Sequence, residues 1–202
     1  MLWQLASFPK CEYHVFLSHC AEDRDALVAP VYDHLLAAGI TPWLDRQDYP
    51  YGRDSRSALR DGILRSRHVT FFVTEAVLTV ARGWCVLELA LAELLELNFH
   101  VPGGQLANVF LPLFLVPQAS AHLPRSVWQL VRDRGRFHTG GDPVEWCVEQ
   151  IRAFLRREQR LARDTAARAR DDPAFAAALA ATPGLADRVT KFHPKRLPAR
   201  KG

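Results

Sequence analysis

The sequence predicts an α/β chain wound on both sides of a five-stranded parallel sheet, and three observations carry that expectation. Short apolar runs alternate with helical patterns of about ten to fifteen residues, as right-handed βαβ crossovers require. Two of the runs, Val69–Val73 and Phe110–Val116, are almost continuously apolar, which fits strands covered on both faces. The chain has 202 residues, 49% apolar and 24% charged, enough for one packed domain with an appendage and unlike a disordered or fibrous sequence.

Taken in order, the first strand is Tyr13–Ser18. Leu27, Val31 and Leu35 then repeat every four residues up to a stop at Gly39, and Pro30 must either kink that helix or mark a late start. The second strand is Ile40–Asp45, followed by a helix after Asp54 whose Ala58, Leu59, Gly62 and Ile63 suit close packing on a sheet. A third strand, His68–Thr74, precedes the helix Trp84–Asn98. That helix is apolar almost all round, which implies burial on more than one side and glutamates directed at whatever cleft remains. Val109–Val116 is the fourth strand, Ser126–Arg132 a short helix and Gly135–His138 a weak fifth strand.

Asp142, Pro143 and Glu145 place an N-cap, an N1 proline and an N3 carboxylate in register, so a long helix starts there with Val144, Val148, Ile151 and Leu155 inward. Past Arg156 the composition turns Ala/Arg-rich. A small helix restarts at Asp172-Pro173 and ends at Pro183-Gly184. The expected organisation is a lead-in over 1–12, the α/β domain over 13–155, a helical extension over 156–184 and a disordered basic tail over 185–202.

Several classes are disfavoured at once. No stretch offers the roughly 20 uninterrupted apolar residues of a membrane span, because Val86–Phe99 carries Glu88, Glu93 and Glu96. The start, MLWQLASFPK, lacks the basic and apolar regions of an export signal, so a cytoplasmic location is expected. The four cysteines show no CxxC spacing, which points to reduced thiols and no structural zinc. Of the net +4 charge, +5 belongs to Asp187–Gly202, so the folded part is close to neutral and nucleic acid is expected to bind only weakly, through the tail, if at all.

Ligands of a sheet with strand order 2-1-3-4-5 sit at the carboxyl ends of the first and third strands, where the winding reverses. The loop after the first strand reads Ser18-His19-Cys20-Ala21-Glu22-Asp23 and contains neither GxGxxG nor GxxxxGK[ST], so a dinucleotide fingerprint and a P-loop are both absent. Glu22 and Asp23 come too late for the acidic cluster of a receiver-like phosphotransfer module. His19 beside Cys20 is not read as a nucleophile pair, since neighbouring side chains project apart.

Three strings, YHVFLSHCAED, WLDRQDYPYGRD and GWCVLELALAE, resemble in order and spacing the three boxes of Toll/interleukin receptor (TIR) domains, over about Tyr13 to Leu155. The resemblance implies a flavodoxin-like order. It also implies an activity, because many TIR domains cleave NAD+ at the nicotinamide-ribose bond, some cyclising the ADP-ribose, with a glutamate at the start of the third helix. That position is Glu88. Trp84 lies one helical turn before it, on the same face, and would shape and dry the pocket wall. The leaving pyridinium is already activated, so the chemistry needs a carboxylate to stabilise an oxocarbenium-like ribose rather than a strong acid.

By the same resemblance Ser18 and His19 supply nucleotide contacts and Cys20 lines the pocket, while Asp45–Asp54, carrying Asp48, is the loop that completes a neighbouring subunit's pocket. Departures include Tyr49 and Tyr51 around Pro50, Asp48 where some relatives have a basic residue, and Thr74 where many have serine. NAD+ enters as substrate; no permanently bound cofactor and no metal are expected. Self-association through TIR domains, a sensor or effector protein partner, no membrane contact and a role in antiphage-type immune defence complete the expectation. The alternative is a non-catalytic TIR scaffold acting through assembly alone, since such modules carry a similar Trp-Cys-x-x-Glu-Leu string.

Overall fold

The structure is a computed structural model that describes residues 7–45, 54–80, 84–101, 104–105, 107–116 and 135–191. Its strands are β1 (Tyr13–Ser18), β2 (Pro42–Trp43), β3 (Ser66–Val73), β4 (His100–Val101), β5 (Gly104–Gln105), β6 (Phe110–Phe114) and β7 (Arg136–Phe137). Five of them form one sheet in the order β2-β1-β3-β6-β7. Every pairing in that sheet is parallel, with Val15 opposite Pro42 and His68, Val69 opposite Phe110, and Phe114 opposite Phe137. Setting aside the small antiparallel pair β4-β5, this is the expected 2-1-3-4-5 winding.

All eight residues of β3 and all five of β6 are buried, the pattern that marked them in the sequence. One face of the sheet is covered by α1 (Ala29–Ala37) and α5 (Pro143–Asp171), joined through Val15, Leu17, Val31, Leu35, Cys147 and Ile151. The other face meets α2 (Ser55–Arg65), α3 (Glu75–Val80), α4 (Trp84–Leu97), α6 (Pro173–Ala180) and α7 (Leu185–Thr190).

Local rules explain most boundaries. Pro30 sits in the first turn of α1, so it marks a late start, and a π-helical turn over Arg24–Val28 leads into it. Gly39 adopts φ 75° beyond the end of α1. The Asp142 carboxylate accepts from the N–H groups of Val144 and Glu145, so the predicted N-cap is formed, and the Asp54 carboxylate caps the helix expected after it by accepting from the Ser57 N–H. Gly62 allows a close helix-to-sheet approach: a Cβ there would lie 2.7 Å from the Trp43 ring, which itself stacks on Phe16.

Three expectations are corrected. The helix starting at Pro143 does not pause at Arg156 but runs 29 residues, its inner stripe centred on Cys147, Ile151, Leu155, Glu158, Ala162 and Thr165. Arg, Glu and Ala are all strong helix formers, so the composition change at Arg156 does not end the element. The tail expected from residue 185 begins later, because Leu185–Thr190 is helical with Leu185, Arg188 and Val189 buried. Phe175, Leu179, Leu185 and Val189 join the same apolar cluster as β1 and β3, so the extension is built into the core. Finally, α4, expected to direct its glutamates at a cleft and to bury its apolar residues on more than one side, uses Glu96 to cap the start of β6 through the N–H groups of Val109 and Phe110, and its Leu87, Ala90, Leu94 and Leu97 form an exposed stripe. The short helix expected at Ser126–Arg132 lies outside the described residues.

Candidate active site

The carboxyl ends of β1 and β3, with the start of α4, converge where the winding reverses. Ser18 is the last residue of β1 and 1% exposed, and its hydroxyl donates to Glu88 Oε2 on α4. Seventy residues apart in sequence, these two side chains meet because β1 and β3 are neighbours and α4 follows β3. Glu88 is 6% exposed. Burial pushes its carboxyl up to about 8, the Ser18 hydroxyl opposes that rise, and the Asp45 carboxylate adds to it. Desolvation therefore outweighs the single hydrogen bond, and near neutral pH the resting group carries its proton.

His19 turns its ring inward. Nδ1 lies 2.9 Å from the Leu17 carbonyl, which can only accept, so the ring donates there. Nε2 lies 3.9 Å from Asp45 Oδ1, and burial lowers the imidazole's affinity for a second proton. Asp45 is anchored by Arg24, whose Nη2 donates to Asp45 Oδ2 at 2.6 Å. Thr74, at the end of β3, donates to Asp23 Oδ2 at 2.5 Å and accepts from the Val77 N–H. One hydroxyl thus ties the loop after β1 to the loop after β3 and caps α3, a task within reach of threonine or serine.

Of the residues singled out in the sequence, Ser18, His19 and Glu88 are brought together. Cys20 follows in the same loop, but its thiol donates to Glu22 Oε2 at 2.7 Å and its side chain belongs to the core, with burial pushing its ionisation upward. Trp84 opens α4 one turn before Glu88, while the placement of its side chain lies outside the described residues. Asp48, with the loop over 46–53, lies outside them as well. Asp23, Arg24, Asp45 and Thr74 were not proposed as site residues. Asp45 was legible as a loop boundary, whereas an Arg24–Asp45 pair 21 positions apart leaves no local signal.

A model of the TIR domain family matches residues 15–134. The chain belongs to the TIR domain family. Among curated proteins this TIR chain is 27% identical over 89 residues to the 2' cyclic ADP-D-ribose synthase AbTIR of Acinetobacter baumannii, covering 44% of the chain and 32% of that protein. It is 30% identical over 73 residues to the NAD(+) hydrolase TirS of Staphylococcus aureus, covering 36% of the chain and 25% of that protein. The matched region thus spans a quarter to a third of those relatives' length. Similar solved structures include the TIR domain of the Toll-related receptor TRR-2 of Hydra magnipapillata, at 18% identity and TM-score 0.45 over 72% of the chain and 94% of that one. A metazoan TIR-STING receptor from C. gigas gives 18% identity and TM-score 0.46 over 72% of the chain and 43% of that one. The TIR assignment rests on the family match and on the sheet order.

Proposed function

We propose that this TIR domain cleaves the nicotinamide-ribose bond of NAD+, releasing nicotinamide and an ADP-ribose product, linear or cyclic, in immune defence signalling. The observation that carries the reading is Glu88: a carboxyl buried at the sheet's switch point and held by the Ser18 hydroxyl at the end of β1. The names of the two bacterial relatives, an NAD(+) hydrolase and a cyclic ADP-ribose synthase, support the same chemistry.

The mechanism follows from charge. A carboxyl that holds its proton up to about pH 8 when nothing faces it gives that proton up more readily beside a cation. Bound NAD+ brings a pyridinium, and the transition state moves positive charge onto the ribose. Glu88 ionises as that charge arrives, and the dry surroundings that raised its pKa strengthen its attraction for an oxocarbenium-like sugar. Ser18 fixes the carboxylate's direction. His19, pinned through Nδ1, presents the wall of the site toward Asp45.

Self-association through TIR domains, with a neighbour's loop around Asp48 completing the pocket, is part of the proposal, as is a sensor or effector protein that triggers it. The test is nicotinamide release from NAD+ at rising protein concentration, for the wild type and Glu88→Ala. The expected result is a rate that climbs faster than linearly with protein and falls by about a thousandfold or more in the variant. Equal rates in the two proteins, or no release at any concentration, favour a scaffold that works by assembly alone.

A further inference from the structure

At the opposite, amino-terminal edge of the sheet the lead-in Phe8–Cys11 lies against α7. The two are joined by the Phe8 N–H, which donates to the Pro183 carbonyl at 2.8 Å. Gly184, at φ 80°, makes the approach tight, because a Cβ there would collide with the Phe8 carbonyl oxygen. Between them is a cleft of about 230 Å³ lined by Phe8, Lys10, Cys11, Asp187, Arg188 and Lys191, among others.

Beneath the cleft two guanidinium groups are buried in a reciprocal clasp. Arg188 of α7 is 3% exposed and donates to the carbonyls of Leu64 and Ser66 at the α2–β3 junction. Arg67 of β3 is 4% exposed and donates back to the carbonyls of Val189 and Lys191. Among the described residues no carboxylate forms an ion pair with Arg188, and its Nε is buried without a hydrogen-bond partner. Arg67 has the buried Glu158 carboxylate within electrostatic reach, whereas the carbonyls around Arg188 satisfy N–H geometry but bring no counter-charge, so burying Arg188 is expensive. The Phe8 and Phe99 rings, with centroids 5.6 and 5.7 Å from the Arg188 guanidinium, offset part of that cost. Lys10 and Lys191 add positive charge at the rim, where Asp187 is already taken by Lys191 at 2.7 Å.

We propose that this cleft is an anion-binding site, sized for a phosphate or the phosphate end of a small metabolite. Cys11 is its reporter. A negative charge at Cys11 favours the charged form of both arginines, which places the thiol and the two cations within electrostatic reach of one another. Among the described cysteines Cys20 and Cys147 are buried and Cys11 is partly exposed in the cleft, and peptide mass spectrometry reads its labelling separately from that of Cys85. An anion there would offset the Arg188 charge and tie the lead-in to α7, at the far edge from Glu88. The site therefore stands or falls independently of NAD+ cleavage.

The experiment labels the 202-residue chain with a neutral aromatic disulfide, in chloride and in inorganic phosphate at equal ionic strength. Protection grows as one plus the ratio of phosphate to Kd, so about 10 mM phosphate is expected to slow Cys11 labelling about tenfold for a millimolar site. An anionic disulfide should react faster than the neutral one at low salt, an advantage that falls as salt is added. Both effects should vanish in Lys10→Glu combined with Lys191→Gln, surface changes that leave the clasp intact. A phosphomonoester protecting better than free phosphate assigns the site to a metabolite; equal protection assigns it to the free ion. Identical labelling in phosphate and chloride overturns the proposal, and so does a Cys11 that no reagent reaches, because the cleft would then be closed to a ligand.

Discussion

Two ends of one sheet bury ionisable groups, and they neutralise them in opposite ways. At the carboxyl ends of the strands, Glu88 is dry, has one hydroxyl partner and sheds its charge by keeping a proton. At the amino ends, Arg67 and Arg188 face a similar penalty, but a guanidinium gives up its proton far less readily, so the charge itself must be held, by carbonyls with the Glu158 carboxylate in reach for Arg67 and by carbonyls and aromatic rings for Arg188. The first arrangement is responsive, since an approaching cation changes it. The second is rigid, and it locks the C-terminal helix to the core.

The sharpest way to break the contrast is Arg188→Met. It keeps the apolar stem but removes the donors that reach the Leu64 and Ser66 carbonyls, and the expected cost is on the order of 3 kcal/mol, read as a lower midpoint in urea unfolding. Next comes Glu88→Gln, which should stabilise, and only at the right pH. Folding raises the Glu88 pKa from 4.5 to about 8, so the folded chain holds a proton that the unfolded chain releases. Wild-type stability is therefore lost as pH rises from about 4.5 to 8, whereas the glutamine variant escapes that loss. The difference should be close to nil at pH 4 and on the order of 3 kcal/mol near pH 7, by parallel thermal melts. A pH-independent difference would mean that packing, not ionisation, separates the two proteins.

The smallest effect is expected from Ser18→Ala. Its hydroxyl lowers the Glu88 pKa, so removing it should move the rising limb of kcat/KM against pH to higher pH and cost only about 1 kcal/mol of stability. An unmoved profile would assign Ser18 to structure rather than to Glu88.

The sequence exposed what depends on neighbours along the chain. The apolar runs within β3 and β6, the helix after Asp54, the Asp142 cap, the Gly39 stop and the small residues of α2 each follow from local pattern, and each appears within a few residues of its expected place. Glu88 and Ser18 were placed near one another through the family's boxes, not by periodicity. What stayed hidden is long-range and polar. Arg188 reaches carbonyls more than 120 positions away, and an Ala/Arg-rich segment looks solvated until those contacts exist. Thr74–Asp23 and Arg24–Asp45 were hidden for the same reason.

The most direct measurement is nicotinamide release by Glu88→Gln at pH 8, with its melting temperature recorded in the same buffer. A variant that melts at or above the wild-type temperature yet releases nicotinamide only at the background rate is the predicted result. Release at the wild-type rate from that protein would contradict the assignment of the chemistry to this carboxylate.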